Sequence, residues 1–306
     1  MNELSVPERK PIGWDQVRAL VLDALPSPHS KRVYGKALEE FVNWAREQGI
    51  DAFTKAAVQR FRVSLEEKHL APSSINVRLT AVRKLAAEAA DNGLLDPQLA
   101  AGIGRVKGAP QHGSRLGRWL TVEEASLLLR DREDRSLKWL RDRAILCLLI
   151  GAGLRREELA GLRVDQIQQR EGRWVIVDLI GKRQRIRTVP IPSWAKEALD
   201  RWLEAAEIAQ DRLFRAMDKA GRVAGEALSS QAVYLIVIGR ARQFGLSLAP
   251  HDARRTFAKL AHKGHVPIEQ IQLSLGHESI MTTEKYLGVR QDLSDAPCDH
   301  LGLDLH

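Results

Sequence analysis

Along the first ninety residues, apolar positions recur at spacings of three and four, the period of an amphipathic helix. Trp14, Val17, Leu20 and Val21 share one face of a predicted helix over 14–25, with Pro26 and Pro28 as its stop. Ser30 is read as the cap of a second helix. Its Val33, Ala37, Leu38, Phe41, Val42 and Ala45 lie on one side, and Gly49 ends it. A third helix is expected over 54–69 and a fourth over 73–92, the latter with Ile75, Leu79, Val82 and Leu85 on one stripe. Asn92-Gly93 and Pro97 close the region. Residues 1–98 therefore read as a small all-α domain.

The pattern fades over 99–118, a glycine-rich, basic stretch expected to be an inter-domain linker. It resumes at Trp119. Thr121 and Glu124 have the spacing of a capping box ahead of Ala125, Leu127, Leu128 and Leu129. A buried helix is predicted over 137–150. Two strands follow, Trp174–Leu179 and Ile186–Ile191, joined by a turn at 180–183. Further helices are expected over 193–209, 229–244, 252–263 and 267–274. The fold class is mainly α with a small antiparallel β-sheet: an all-α domain (1–98), a linker (99–118), an α+β domain (119–290) and an acidic tail (291–306).

Charge sharpens this outline. The 306 residues carry a net charge of +8, with a pI near 9.6. By segment the net charge is +1 over 1–98, +4 over 99–118, +7 over 119–290 and −4 over 291–306. A basic linker and a basic second domain favour an acidic partner such as nucleic acid. The two cysteines, Cys147 in an apolar helix and Cys298 in the tail, offer neither a disulfide framework nor a metal spacing, and a reducing cytoplasm is the expected setting. The longest apolar run, 144–154, is too short to span a bilayer, and the first ten residues have no apolar signal core. No membrane partner is expected.

Candidate chemistry lies in the second domain. Arg155 ends Gly-Leu-Arg, Lys182 follows Gly181, His251 and Arg254 bound His-Asp-Ala-Arg, and His277 ends Leu-Gly-His, nine residues before Tyr286. A phosphodiester repels nucleophiles, so attack without a metal needs cations where charge accumulates. Arginine suits that task because its fork donates two hydrogen bonds to a phosphate and stays charged. Tyr286 is the candidate nucleophile. His251 and His277 are groups expected to hydrogen-bond or exchange protons near neutrality. Lys182, on a turn, is placed to protonate a leaving oxygen. Glu158, one helical turn beyond Arg155, is placed to orient it or a neighbouring side chain. Taken singly, each of these side chains is an ordinary surface or core residue; the ordered set is what points to phosphoryl chemistry.

That set resembles the tyrosine recombinase (phage integrase) family. The resemblance rests on the order and spacing of the six residues and on the phrases Gly-Leu-Arg-Arg-Glu-Glu-Leu-Ala-Gly-Leu, Gly-Lys-Arg-Gln-Arg-Ile-Arg-Thr-Val-Pro-Ile, His-Asp-Ala-Arg-Arg-Thr-Phe-Ala and Leu-Gly-His-Glu-Ser-Ile-Met-Thr-Thr-Glu-Lys-Tyr. Arg183 stands where the family often has glycine. The segments Ser-Lys-Arg-Val-Tyr and Ser-Ser-Ile-Asn-Val-Arg-Leu-Thr-Ala-Val-Arg-Lys-Leu resemble, more loosely, its core-binding domain.

The resemblance implies Arg155, Lys182, His251, Arg254, His277 and Tyr286 as the catalytic set of a site-specific DNA recombinase. It implies a 3′-phosphotyrosyl intermediate, a free 5′-hydroxyl, and no cofactor, ATP or metal. It further implies specific double-stranded DNA as partner, contacted through Arg105, Lys107, Arg115, Arg118, Arg183 and Arg185. Four protomers would act on two duplexes in the cytoplasm, at the nucleoid, with accessory bending or directionality proteins, and the tail would dock on a neighbour. Two other readings stay open at this point: a type IB topoisomerase-like enzyme and a non-catalytic DNA-binding regulator.

Overall fold

The computed structural model describes residues 14–110, 118–131, 136–181 and 185–288. The chain divides into two compact units, 1–114 and 115–306.

The first unit holds five helices: α1 (Trp14–Asp23), α2 (Pro28–Glu47), α3 (Lys55–Glu67), α4 (Pro72–Asp91) and α5 (Pro97–Gly104). Its core is the predicted stripe, with Leu38, Phe61, Leu65 and Leu79 fully buried and rings of Trp14, Phe41, Trp44, Phe53 and Phe61 meeting mostly at steep angles. Two expectations are corrected. Pro28 does not stop a helix but opens α2 from its first turn, and the cap is Ser27, whose Oγ accepts from the Ser30 amide at 3.1 Å. Proline is tolerated there because the N–H it lacks would have no partner within the helix. Likewise, Pro97 opens α5 with Asp96 as cap. Ile103, Val106 and Ala109 then pack into the first unit's core. The stretch expected to be a bare linker is therefore, at least to Ala109, part of this unit. Asn76 fixes its end, donating to the Ala109 carbonyl at 3.0 Å and accepting from the Ala109 amide at 2.8 Å.

The second unit is built on α7 (Leu137–Gly151), whose residues from Ala144 to Ile150 are all buried. It is wrapped by α6 (Val122–Leu129), α8 (Arg156–Gly161), α9 (Ser193–Ala205), α10 (Ser230–Gln243) and α11 (Pro250–Lys263). The Thr121–Glu124 capping box of α6 forms in both directions. The thiol of Cys147, within α7, is pushed up to about 12 by burial and is inert. The sheet has three antiparallel strands in the order β1 (Ile167–Arg170), β2 (Arg173–Ile180), β3 (Ile186–Pro190). Strand β1 was not expected from the sequence. It pairs Gln168 with Val175 across a two-residue turn, Glu171-Gly172, whose φ values of 50° and 73° fit the tight hairpin twist. Ile176 faces Val189, and Ile180 faces Ile186. Two short helices, α12 (Ile268–Leu275) and α13 (Ile280–Leu287), close the described chain. They pack on α11 through Ala258, Ile271, Leu275 and Leu287. No described helix is long and apolar enough to cross a membrane. Cys298 and the acidic tail lie outside the described residues.

Candidate active site

Arg155 is the N-cap residue of α8. The chain reaches it through Gly153, whose φ of +60° suits glycine. A Cβ on Gly153 would stand 2.6 Å from the ring of Phe257, so α11 packs directly on this bend. Glu158, in the first turn of α8, accepts from the Arg155 amide at 2.8 Å and from its Nη1 at 2.6 Å. The expectation that Glu158 orients Arg155 holds in this geometry.

A second arginine completes the clamp on Glu158. Arg187 of β3 donates Nη1 and Nη2 to the two carboxylate oxygens, both at 2.9 Å, and its Nε to the Ser274 carbonyl of α12 at 3.0 Å. Arg187 is not among the site residues expected from the sequence. A signal was present: β3 alternates, so Arg187 shares a face with buried Val189, and an arginine on a buried face needs an anionic partner. Burial alone raises the Glu158 carboxyl. Hydrogen bonds and charge from Arg187 and Arg155 outweigh it and hold the group at about 2.

Arg254 of α11 is 1 % exposed. It donates to the carbonyls of Gly153 and Leu275 and lies 4.0 Å from Glu158. Burial, then the charge of Arg155, pushes the guanidinium down to about 9, so it remains a cation at neutral pH. One carboxylate thus gathers three guanidiniums from α8, β3 and α11. The surplus positive charge is a seat for an anion. Gly181 abuts the cluster: a Cβ there would lie 3.1 Å from Arg187 Nη1 and 3.5 Å from Arg155 Nη1. Its amide donates to the Arg185 carbonyl at 2.7 Å. The turn that carries Lys182 therefore starts beside the guanidiniums, while Lys182 itself lies outside the described residues.

Tyr286 of α13 stands at the rim, half-buried. Its hydroxyl donates to the His251 carbonyl at 3.2 Å. The ring meets His251 and His277 edge-on, each at a centroid distance of 5.3 Å, and the Arg255 guanidinium lies 4.9 Å over it. Burial raises the phenol, opposed by Arg254 and Arg255. Both imidazoles are lowered: His251 by desolvation, then Arg255 and Arg254; His277 by burial, then Arg254 and Arg155, to about 4. Of the two roles expected of His277, the lowering favours hydrogen bonding over proton exchange near neutrality. Among these cations its imidazole is neutral at pH 7. The backbone after α12 turns through Gly276 (φ 61°). Gln272 then grips the His277 main chain, its carbonyl accepting from the His277 amide and its side chain donating to the His277 carbonyl, both at 3.2 Å.

Arg155, His251, Arg254, His277 and Tyr286 are thus brought to one locus, with Glu158, Arg187 and Arg255 added. The expected DNA contacts are more dispersed. Arg105 and Lys107 are exposed on the first unit. Arg118 pairs with Glu124 at 3.1 Å, and Arg185 with Glu278 at 3.5 Å. Arg115 and Arg183 lie outside the described residues. Among the described residues no group of three His, Cys, Asp or Glu side chains could hold a metal ion.

Fold and site together define a helical protein with a tyrosine presented to an arginine-rich anion seat. Comparison with known proteins gives this class its family. The model of the phage integrase family matches residues 118–292, and that of the phage integrase N-terminal SAM-like domain matches 17–93. Tyrosine recombinase XerC of Pseudomonas fluorescens is 31% identical over 267 residues, 85% of each chain. That of Haemophilus influenzae (strain PittEE) is 30% identical over 280, covering 89% of this chain and 90% of its own. The chain belongs to the phage integrase family, the tyrosine recombinases. Its fold is also that of XerH recombinase bound to palindromic difH substrate in a post-cleavage complex (TM-score 0.69, 20% identity, 92% of this chain and 82% of that one). It is shared with a lambda integrase(75-356) dimer bound to a COC' core site (TM-score 0.67, 18% identity, 91% and 96%).

Proposed function

We propose that this chain is a site-specific DNA recombinase that cuts and rejoins strands through a tyrosyl ester. The observation that carries the reading is the seating of Tyr286 between His251 and His277, against the cluster of Arg155, Arg187 and Arg254. The scissile phosphate sits in that cluster, its non-bridging oxygens held by Arg155 and Arg254. The phenolic oxygen attacks phosphorus, an O–P bond forms, and the bond from phosphorus to the 5′ oxygen breaks. His251 takes the phenolic proton, since its lowered affinity for protons leaves the imidazole free at neutral pH. Lys182 supplies the proton to the leaving 5′ oxygen. The ester keeps the energy of the broken bond, so the 5′-hydroxyl of a partner strand reverses the step without ATP or metal.

Support for DNA as partner comes from the net charge of +8 and from the DNA-bound recombinases that share the fold. The first unit is assigned to DNA binding beside the cleavage point, through Arg105 and Lys107. Arg115, Arg118, Arg183 and Arg185 add further phosphate contacts. Four protomers acting on two duplexes complete the scheme.

The test uses a nicked suicide duplex carrying a site that the protein itself selects from a random-sequence pool. Wild type is expected to form a covalent adduct on a denaturing gel, and Tyr286→Phe none. Equal adduct from both would remove Tyr286 from the chemistry. Salt-sensitive binding without an adduct from either would favour a non-catalytic DNA-binding protein, and relaxation of any plasmid would favour a topoisomerase.

A further inference from the structure

We infer that Thr283 is a positioning residue that fixes the tautomer of His277, with Nδ1 as acceptor and the proton on Nε2. Thr283 lies on α13, three residues before Tyr286 and so on the same side of the helix. It is fully buried. Its Oγ1 is 3.0 Å from His277 Nδ1. No other hydrogen-bond partner of this hydroxyl occurs among the described residues.

That single partner decides the direction of the bond. A buried hydroxyl must place its proton on an acceptor or bear the full desolvation cost of an unmade bond. Two other helical threonines in the chain satisfy this by bonding back one turn: Thr80 donates to the Asn76 carbonyl at 2.7 Å and Thr256 to the Asp252 carbonyl at 2.9 Å. Thr283 instead turns its hydroxyl toward the imidazole, so its proton goes to Nδ1. A neutral imidazole accepting at Nδ1 carries its hydrogen on Nε2.

The consequence concerns the reaction and rests on the reading above. With Nε2–H fixed, His277 offers a hydrogen bond to an anionic phosphate oxygen and cannot take the proton of Tyr286. The two histidines that flank the phenol are thereby given different work: His277 donates, and His251 accepts. The grip of Gln272 on the His277 main chain holds the backbone while Thr283 holds the ring.

Two measurements separate this proposal from the reading it rests on. In wild-type protein without DNA, long-range 15N–1H spectra of the imidazoles, with His277 assigned by its loss in His277→Asn, are expected to show a protonated Nε2 and an unprotonated Nδ1. The opposite tautomer would overturn the proposal and leave the recombinase reading intact. In single-turnover cleavage of the suicide duplex, Thr283→Val keeps the shape and removes the hydroxyl. It is expected to lose ~10–100-fold in rate, less than deletion of an entire transition-state donor, while Thr283→Ser stays within about 3-fold of wild type. A Thr283→Val protein as fast as wild type, or a Thr283→Ser protein as slow as Thr283→Val, would reject the role. If Thr283→Val does not fold, the wild-type tautomer and the serine rate still decide. A wild type that forms no adduct would remove the recombinase reading and leave the tautomer assignment standing.

Discussion

Replacing Arg187 by methionine keeps most of the side-chain volume and removes both hydrogen bonds to Glu158. Glu158, 8 % exposed in the intact protein, would be left with Arg155 as its one remaining direct donor. In the intact protein Glu158 is held at about 2 against an ordinary 4.5. A shift of that size corresponds to about 3 kcal/mol favouring the ionised form in the folded state. Stripping one partner from a buried pair costs on the order of 3–5 kcal/mol, so Arg187→Met is expected to destabilise the second unit by about 3 kcal/mol at pH 7. The pH sign follows from a depressed carboxylate. Its stabilising contribution is complete above pH 4.5 and is lost as pH falls toward 2, so the penalty of Arg187→Met should shrink over that window. Urea unfolding followed by tryptophan fluorescence suits the test, since Trp119, Trp139, Trp174, Trp194 and Trp202 lie in this unit and only Trp14 and Trp44 in the other. Arg187→Lys should not rescue, because a point charge cannot span both carboxylate oxygens. A loss under about 0.5 kcal/mol, or one that does not change between pH 6 and pH 3, would refute the role given to Arg187.

Other outcomes are expected from the same geometry. Gly153→Ala places a methyl against Phe257 and demands φ near +60°, so it should destabilise by roughly 1–3 kcal/mol and slow cleavage with it, read from paired unfolding and suicide-substrate assays. Cleavage rate against pH should hold its plateau from pH 8 to below 6.5, because His251 has a lowered pKa and must be unprotonated to act as base; a decline setting in above 6.5 would contradict that assignment. DNA affinity should fall by ~10³–10⁵ between 50 and 200 mM salt if about 6–10 phosphates are contacted, and a flat titration would count against the basic residues assigned to DNA.

The helical outline was legible because burial imposes a period that needs no knowledge of the rest of the chain. Two of the errors share one cause. At Ser27-Pro28 and Asp96-Pro97 a proline was read as a stop, yet a polar residue followed by proline is also how a helix begins. In the second case the misreading hid α5 and turned a packed segment into a linker. Strand β1 was invisible for a different reason. Ile-Gln-Gln-Arg has no alternation, and it becomes a strand only because β2 offers it a ladder across Glu171-Gly172. At the site, Arg155, His251, Arg254, His277 and Tyr286, singled out from their order in the chain, lie together in the structure. Glu158, one helical turn from Arg155, was also legible, but the alternation of β3 shows only that Arg187 needs an anionic partner and not that the partner is Glu158, 29 positions away.

The arrangement around Glu158 offsets the repulsion within a site rich in cations. Arg155, Arg187 and Arg254 repel one another, and a single carboxylate among them offsets part of that repulsion. Arg187 spends its fork on Glu158 and its Nε on α12. Arg254 is anchored by two backbone carbonyls. Arg155 gives Glu158 one nitrogen of its guanidinium, which leaves further donors for a phosphate. Arg187 thus holds the frame, while Arg155 and Arg254 keep donors for a phosphate. Because the frame joins α8, β3, α11 and the end of α12, a bound phosphate would sense the alignment of all four through a single carboxylate. That is the physical reason a substitution at Arg187, which is not assigned to touch DNA, should appear in both stability and cleavage.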